Sequence, residues 1–135
     1  MNASRDLSPS GLQETLAQAV VHHQNGRLAD AQPLYERVLR QLPDQSDALH
    51  LLGLLKAQTG DPEGGIALIR KAVAKDGGQP VFRLNLGRVL EAAGRWAEAA
   101  DAYGHAARLA PLDSTHHRLE AAAQAKLGRA EAAAR

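Results

Sequence analysis

Four glycines stand on an even grid in this chain of 135 residues, with one constant interval between Gly26, Gly60, Gly94 and Gly128. The letters around them also repeat, since HQNGRLADAQPLYERVLRQLP returns two intervals later as EAAGRWAEAADAYGHAARLAP. A fixed period of this length indicates one structural unit used several times, whose copies bury their apolar sides against each other. The period therefore constrains the fold more than the composition does.

The apolar residues between the glycines have helical spacing. Leu12, Leu16, Ala19 and Val20 follow the i, i+4, i+7, i+8 pattern before the first glycine, and a second such pattern begins at Ala31. Each unit is therefore predicted to be two helices joined at the glycine. A glycine accepts the left-handed backbone conformation that ends many helices.

Small residues recur seven positions before and five positions after each glycine, where the two helices of a unit would cross closely. They are Ala19, Gly53, Gly87 and Ala121 on the first helices, and Ala31, Gly65, Ala99 and Ala133 on the second helices. The second helix of unit two also contains Gly64, and Gly77 and Gly78 follow it. Each interior glycine costs roughly 1 kcal/mol relative to alanine, so this helix is expected to be the softest of the stack.

This pattern resembles the tetratricopeptide repeat: a helix pair of about 34 residues with a central glycine, small crossing residues, a large apolar residue and a closing proline. The resemblance runs from residue 12 to the end and implies an all-α fold, a right-handed superhelical stack of seven to eight helices. A polar N-terminal tail over residues 1–11 is expected to precede a single domain over residues 12–135. That domain divides into repeats at 12–45, 46–79 and 80–113 and a partial repeat or capping helix at 114–135. A turn is expected at Gly128, followed by a short or frayed eighth helix, and the chain is expected to be the front part of a longer protein.

Composition argues against several functional classes. The formal net charge is +1 and aromatic residues make up 3% of the chain, which favours neither a basic nucleic-acid surface nor a base-stacking platform. Cysteine is absent, so thiolate chemistry and cysteine-bound zinc are excluded. The polar N-terminus does not resemble a signal peptide, and no run approaches the roughly 20 apolar residues of a membrane span. A cytoplasmic protein that contacts neither nucleic acid nor membrane is therefore expected. The abundance of alanine, and of arginine over lysine, indicates a bacterial source.

No catalytic or metal-binding pattern stands out. The six histidines include two adjacent pairs, whose side chains point about 100° apart on a helix and cannot share a metal. The glycine-rich GDPEGG stretch lacks the lysine and the hydroxyl residue of a phosphate loop. The sequence therefore predicts a protein that is not an enzyme and needs no cofactor or metal.

The resemblance implies a partner-binding groove lined by the first helices of successive repeats. The residues expected there are Leu16, Val20, His23, His50, Leu54, Leu84, Asn85, Arg88, Glu91 and Arg118. His23 and His50 are expected to titrate near neutral pH. The lysine, arginine and asparagine of a carboxylate clamp are not matched, and Asn85 alone does not form an asparagine ladder.

Two functions remain open. The first is a protein-interaction scaffold that binds a peptide or helix of a partner in this groove. The second is the N-terminal module of a larger bacterial enzyme of glycosyltransferase, sulfotransferase or methyltransferase type, which positions substrate or mediates oligomerisation. Self-association through the terminal helices is also expected, since a stack of hairpins lacks a neighbour at each end.

Overall fold

The computed structural model describes residues 6–135, which form seven α-helices and contain no strand. The helices are α1 (Pro9–Gln24), α2 (Leu28–Gln41), α3 (Ser46–Gln58), α4 (Pro62–Lys75), α5 (Pro80–Ala92), α6 (Trp96–Leu109) and α7 (Ser114–Ala134). Helices α1 to α6 pair in order into three hairpins, and α7 packs on α6. The all-α solenoid expected from the period is confirmed, while residues 1–5 of the expected tail lie outside the described residues.

The three hairpin turns share one geometry. Gly26, Gly60 and Gly94 have positive φ angles of 76°, 96° and 76°. The residue after each glycine donates its backbone N–H to the carbonyl five residues before it, as Arg95 does to Leu90 at 2.9 Å. This bond satisfies a carbonyl that the end of the helix would otherwise leave unpaired.

The prediction of a turn at Gly128 and of an eighth helix after it is wrong. Helix α7 runs without a break from Ser114 to Ala134, and a Cβ placed on Gly128 would have no neighbour within 4 Å. In the other units the residues after the glycine fold back onto their own first helix. Here the residues after Gly128 are mainly exposed alanines, and continuing a helix is the least costly conformation for alanine.

The first helix begins three residues earlier than the first repeat was expected to begin. Pro9 is at its first turn, where the missing N–H of proline does no harm. The Ser8 hydroxyl accepts a hydrogen bond from the N–H of Gly11 at 3.0 Å and so caps the helix. Residues 9–11 therefore belong to α1.

The small residues lie where the paired helices cross. Ala19 and Ala31 are fully buried at the first crossing. At the second, a Cβ on Gly53 would meet the carbonyl oxygen of Gly65 at 2.8 Å, so both backbones need glycine there. At the third, a Cβ on Gly87 would meet the Tyr103 ring at 2.5 Å. The glycines of unit two thus permit a close helix contact that sequence propensity alone does not show.

The core runs along the stack between the helices. Its largest fully buried side chains include Tyr35, Leu55, Ile69 and Tyr103, which come from successive units. Glu120 of α7 stands where the two preceding first helices have Leu52 and Leu86, and a Cβ placed on Gly104 of α6 would meet its carboxylate. The contact between α6 and α7 is therefore more polar at this place than the contacts of the earlier units.

Candidate functional site

The ten residues expected in the groove all lie on α1, α3, α5 and α7, the first helices of the units. Helix α1 contacts α3, and α3 contacts α5. We use the name first-helix surface for the surface that carries these residues: Leu16, Val20, His23, His50, Leu54, Leu84, Asn85, Arg88, Glu91 and Arg118.

The four apolar residues of this surface pack partly into the core and are partly exposed. Leu16 and Val20 are half-buried and pack against the cluster around Tyr35. Leu54 and Leu84 are also half-buried and pack against the next cluster along the stack. Each side chain therefore contributes to stability and still leaves part of its surface exposed.

Three hydrogen bonds join successive first helices across this surface. They are His23 Nε2 to Gln58 Oε1 at 2.7 Å, Asn85 Nδ2 to His50 Nε2 at 2.8 Å, and Lys126 Nζ to Glu91 Oε1 at 2.8 Å. In every case the two residues are 35 positions apart, one more than the period. These bonds hold neighbouring first helices in a fixed register.

His50 does not behave as the sequence predicted. It is only 6% exposed, and its ring packs against the tilted ring of Phe82 with 4.7 Å between ring centroids. Burial, and to a smaller extent the nearby His23, lower the pKa of His50 from 6.5 to about 4. The expectation that His50 titrates near neutral pH is therefore wrong. The ring is neutral at pH 7, and its Nε2 accepts from the amide of Asn85.

His23 uses both of its ring nitrogens within the protein. Its Nδ1 lies 2.9 Å from the hydroxyl of Tyr35, and its Nε2 reaches Gln58. The tautomer with a proton on Nε2 satisfies both contacts, because Tyr35 then donates to Nδ1 and Nε2 donates to the Gln58 carbonyl oxygen. His23 therefore positions two neighbours and remains half-exposed on the surface.

Glu91 occupies in unit three the position that His23 occupies in unit one. One of its oxygens accepts from the hydroxyl of Tyr103 at 2.9 Å, and the other accepts from Lys126. The bond from Lys126 is the main reason that the pKa of Glu91 is lowered. The ammonium of Lys126 also lies 5.1 Å from the ring centroid of Trp96. The charge of Glu91 is therefore balanced inside the protein.

Arg88 and Arg118 are the exposed cations among the predicted residues. Arg88 is on α5, one helical turn from Leu84, and Arg118 is on α7. With Glu91 paired and His50 neutral, these two arginines give the α5–α7 part of the surface its outward charge. The α1–α3 part of the surface is more apolar.

A group of charged residues on the second helices was missed by sequence reasoning. Arg95 bonds to Glu63 and to Glu98, and Arg70 bonds to Glu98 at 2.6 Å. The bonds from Arg95 and Arg70 lower the pKa of Glu98 to about 2. Because the partners are up to 32 residues apart, no local sequence pattern identifies this group. It joins the second helices of units two and three.

Comparison with known families identifies the fold. Two family models, each described as tetratricopeptide repeat, match residues 16–80 and 56–127. The chain belongs to the tetratricopeptide repeat family. A curated relative, cellulose synthase 2 operon protein C of Komagataeibacter xylinus, is 30% identical over 151 aligned residues. The alignment covers 85% of this chain and 11% of that protein, so the chain spans about a ninth of its length.

Several solved structures share this tetratricopeptide fold. A mutant O-GlcNAc transferase from Thermobaculum terrenum matches with a TM-score of 0.77 and 34% identity, over 83% of this chain and 22% of that chain. The type III secretion translocator chaperone SycD of Yersinia enterocolitica matches with a TM-score of 0.80 and 19% identity, over 93% and 90% of the two chains. MamA AMB-1 matches with a TM-score of 0.77 and 27% identity, over 90% and 72%.

Membership of the tetratricopeptide repeat family supports a protein-interaction scaffold. Within residues 6–135 the acidic and histidine side chains form no group of three that could hold a metal ion. None of the helices described has the length and apolar character needed to cross a membrane.

Proposed function

We propose that the first-helix surface binds an extended or helical segment of a partner protein. The observation that carries this proposal is the set of hydrogen bonds between first helices. His23, His50 and Glu91 make these bonds within the protein. What remains outward is a row of half-buried leucines beside the exposed Arg88 and Arg118. Such a preformed surface suits a segment with apolar side chains and some negative charge.

The proposal assigns different roles to the ten predicted residues. Leu16, Val20, Leu54 and Leu84 supply apolar contact, and Arg88 and Arg118 attract charge. His23, His50, Asn85 and Glu91 act mainly by holding the helices that present them. Asn85 also keeps an amide oxygen that its bond to His50 does not use.

Site-specific photo-crosslinking tests this proposal without disturbing the core. A photoreactive residue is placed at the exposed Arg88, and in a matched protein at Arg40, which is also exposed but lies on the second helix α2. After illumination in the lysate of the source cell, a crosslinked protein is expected from position 88 and not from position 40. The same product from both positions would contradict the proposal.

A second function is favoured by the similarity to the O-GlcNAc transferase, at 34% identity over 83% of this chain. On this proposal the chain is the repeat module of a larger enzyme of glycosyltransferase type, and it positions substrate or mediates oligomerisation. An antibody raised against this chain separates the two functions in a whole-cell extract. A band near 14.3 kDa supports a free scaffold, and a band several times larger supports the module.

Self-association through the terminal helices is a further proposal. Val21 on α1 is 51% exposed and supports it. Sedimentation velocity over a hundredfold range of concentration tests it. A single monomeric species throughout that range would contradict it.

A further inference from the structure

A cleft of about 300 Å³ opens at the N-terminal end of the stack, between α1, the end of α2 and the start of α3. Its walls are mainly apolar and include Leu12, Leu16, Val38 and Leu42. Gln13 and Gln45 also line it. Leu16 belongs to the first-helix surface as well, so the cleft and that surface are continuous.

The next unit shows what fills the corresponding space. One period along the chain, His50 and Ala72 correspond to Leu16 and Val38. The ring of Phe82 packs against both of these residues of unit two, with its centroid 4.7 Å from that of His50 and with Ala72 in the same buried cluster. Phe82 is 2% exposed, so its ring is almost completely enclosed.

Ala48 is the residue of α3 that corresponds to Phe82. It is fully buried and packs with Leu12 and Val38, but its side chain ends at Cβ. On α7 the corresponding residue is His116, whose ring is also buried. The second junction between units is therefore filled by the ring of Phe82, the third has the buried ring of His116 at the corresponding position, and the first has an alanine and the cleft.

We propose that this cleft binds a phenylalanine-sized aromatic side chain of the partner segment, in the place that Phe82 occupies one unit further along the chain. The inference rests on the proposed function, because the side chain belongs to the segment bound on the first-helix surface. The proposal is supported by the repeat itself, because the corresponding helices one unit further along enclose the aromatic ring of Phe82. Aromatic side chains buried in such pockets supply much of the energy of protein interfaces.

The test titrates amide-labelled protein with N-acetyl-phenylalanine amide and follows the backbone signals by NMR. Saturable shifts are expected at Leu12, Leu16 and Leu42, and N-acetyl-alanine amide is expected to give none. The variant Ala48→Phe should lose these shifts because its own ring fills the cleft. Ala67→Phe adds the same ring at an exposed position of α4 and should keep them. Shifts that are missing in the native chain, or that persist in Ala48→Phe, overturn the proposal.

The melting temperature gives an independent result. Ala48→Phe is expected to melt no lower than the native chain, because its ring should enter the cleft beside Leu16 and Val38. A fall would mean that the ring overpacks the core around Leu12 and Val38 instead, and this would contradict the proposal. The titration also separates the cleft from the proposed function. A chain that binds the probe but crosslinks to no protein contradicts the proposed function alone. A chain that crosslinks through position 88 and ignores the probe contradicts the cleft alone.

Discussion

The hydroxyl of Tyr103 donates a hydrogen bond of 2.9 Å to Oε2 of Glu91, twelve residues before it on the preceding helix. Tyr35 and His23 are related in the same way and at the same distance in unit one. In both units the residue that meets the tyrosine also bonds to the first helix of the next unit. Unit two has Ile69 and Ala57 at these places, so this polar connection is used in alternate units.

We expect Tyr103→Phe to destabilise the fold by about 0.5–1.5 kcal/mol, because the ring still packs but the bond to Glu91 is lost. Chemical unfolding of the native and variant proteins measures the change. A double-mutant cycle with Glu91→Ala, which leaves no acceptor for the hydroxyl, should show that the two losses are not additive. Fully additive losses would mean that the bond contributes nothing to stability.

Stability should fall in strong alkali. Burial raises the pKa of Tyr35 from 10.0 to about 12, and burial together with Glu91 raises the pKa of Tyr103. The folded chain therefore keeps phenolic protons that the unfolded chain releases above pH 10. The stabilisation is complete below pH 10 and is lost as the pH rises towards 12 and beyond. Urea midpoints between pH 9 and pH 12 should fall less steeply in the Tyr35→Phe, Tyr103→Phe double variant, and equal slopes would contradict this.

Stability should also fall in mild acid because of His50. The pKa of this residue is about 4 in the folded chain and 6.5 in the unfolded chain, so only the unfolded chain takes up the proton between these values. The stabilisation is present above pH 6.5 and is lost as the pH falls towards 4. We expect the loss to be on the order of 2 kcal/mol between pH 7 and pH 4.5.

The matched variant for this measurement is His50→Leu, since leucine stands at the corresponding place in the units before and after. Its unfolding free energy should depend much less on pH over this range. The exposed His105→Gln serves as the control and should keep the native dependence. A His50→Leu protein with the native acid slope would show that another group is responsible.

Two glycine substitutions should change stability in opposite directions. Gly65→Ala places a Cβ against the backbone of Gly53 and should cost about 1–3 kcal/mol. Gly128→Ala should instead stabilise the chain by about 0.5–1 kcal/mol, because Gly128 is an exposed interior residue of α7. Thermal unfolding measures both. A destabilised Gly128→Ala protein would indicate a left-handed turn at this residue.

The sequence predicted the repeating architecture well because each hairpin is determined by nearby residues. The turn glycines, the helical spacing and the small residues at the crossings all lie within one period. The prediction failed at Gly128, where a glycine stands on the same grid but the residues that follow it are mainly exposed alanines, which have little side chain to bury against the helix before them. A turn in this family therefore depends on the packing that follows it as much as on the glycine.

The candidate site was less predictable, since its contacts join different units. His50 looked like an exposed groove residue, but Phe82 and Asn85 from the next first helix cover it. A signal for part of this arrangement was present. Both tyrosines have a polar residue twelve positions earlier, and Ile69 does not. Aligning the units with one another would have indicated which polar residues the protein uses internally.

The softness expected for the second helix of unit two is a prediction that amide exchange can test. Gly64 and Gly65 lower the helix propensity of α4, yet Gly65 lies at a tight crossing with Gly53. Faster exchange over residues 61–78 than over residues 95–112 would show that the low helix propensity of the glycines determines the local stability of this helix. Equal protection would show that the close crossing compensates for it.

The affinity of a crosslinked partner segment for four variants tests the central claim most directly. Leu54→Ala is paired with Leu68→Ala, a half-buried leucine on the second helix α4, and Arg88→Glu is paired with the exposed Arg40→Glu. If the first-helix surface binds the segment, Leu54→Ala should weaken binding roughly tenfold or more. Arg88→Glu should weaken it most at low salt, and the two second-helix variants should bind like the native chain. Equal losses on both faces, in proteins with unchanged helix content, would contradict the account.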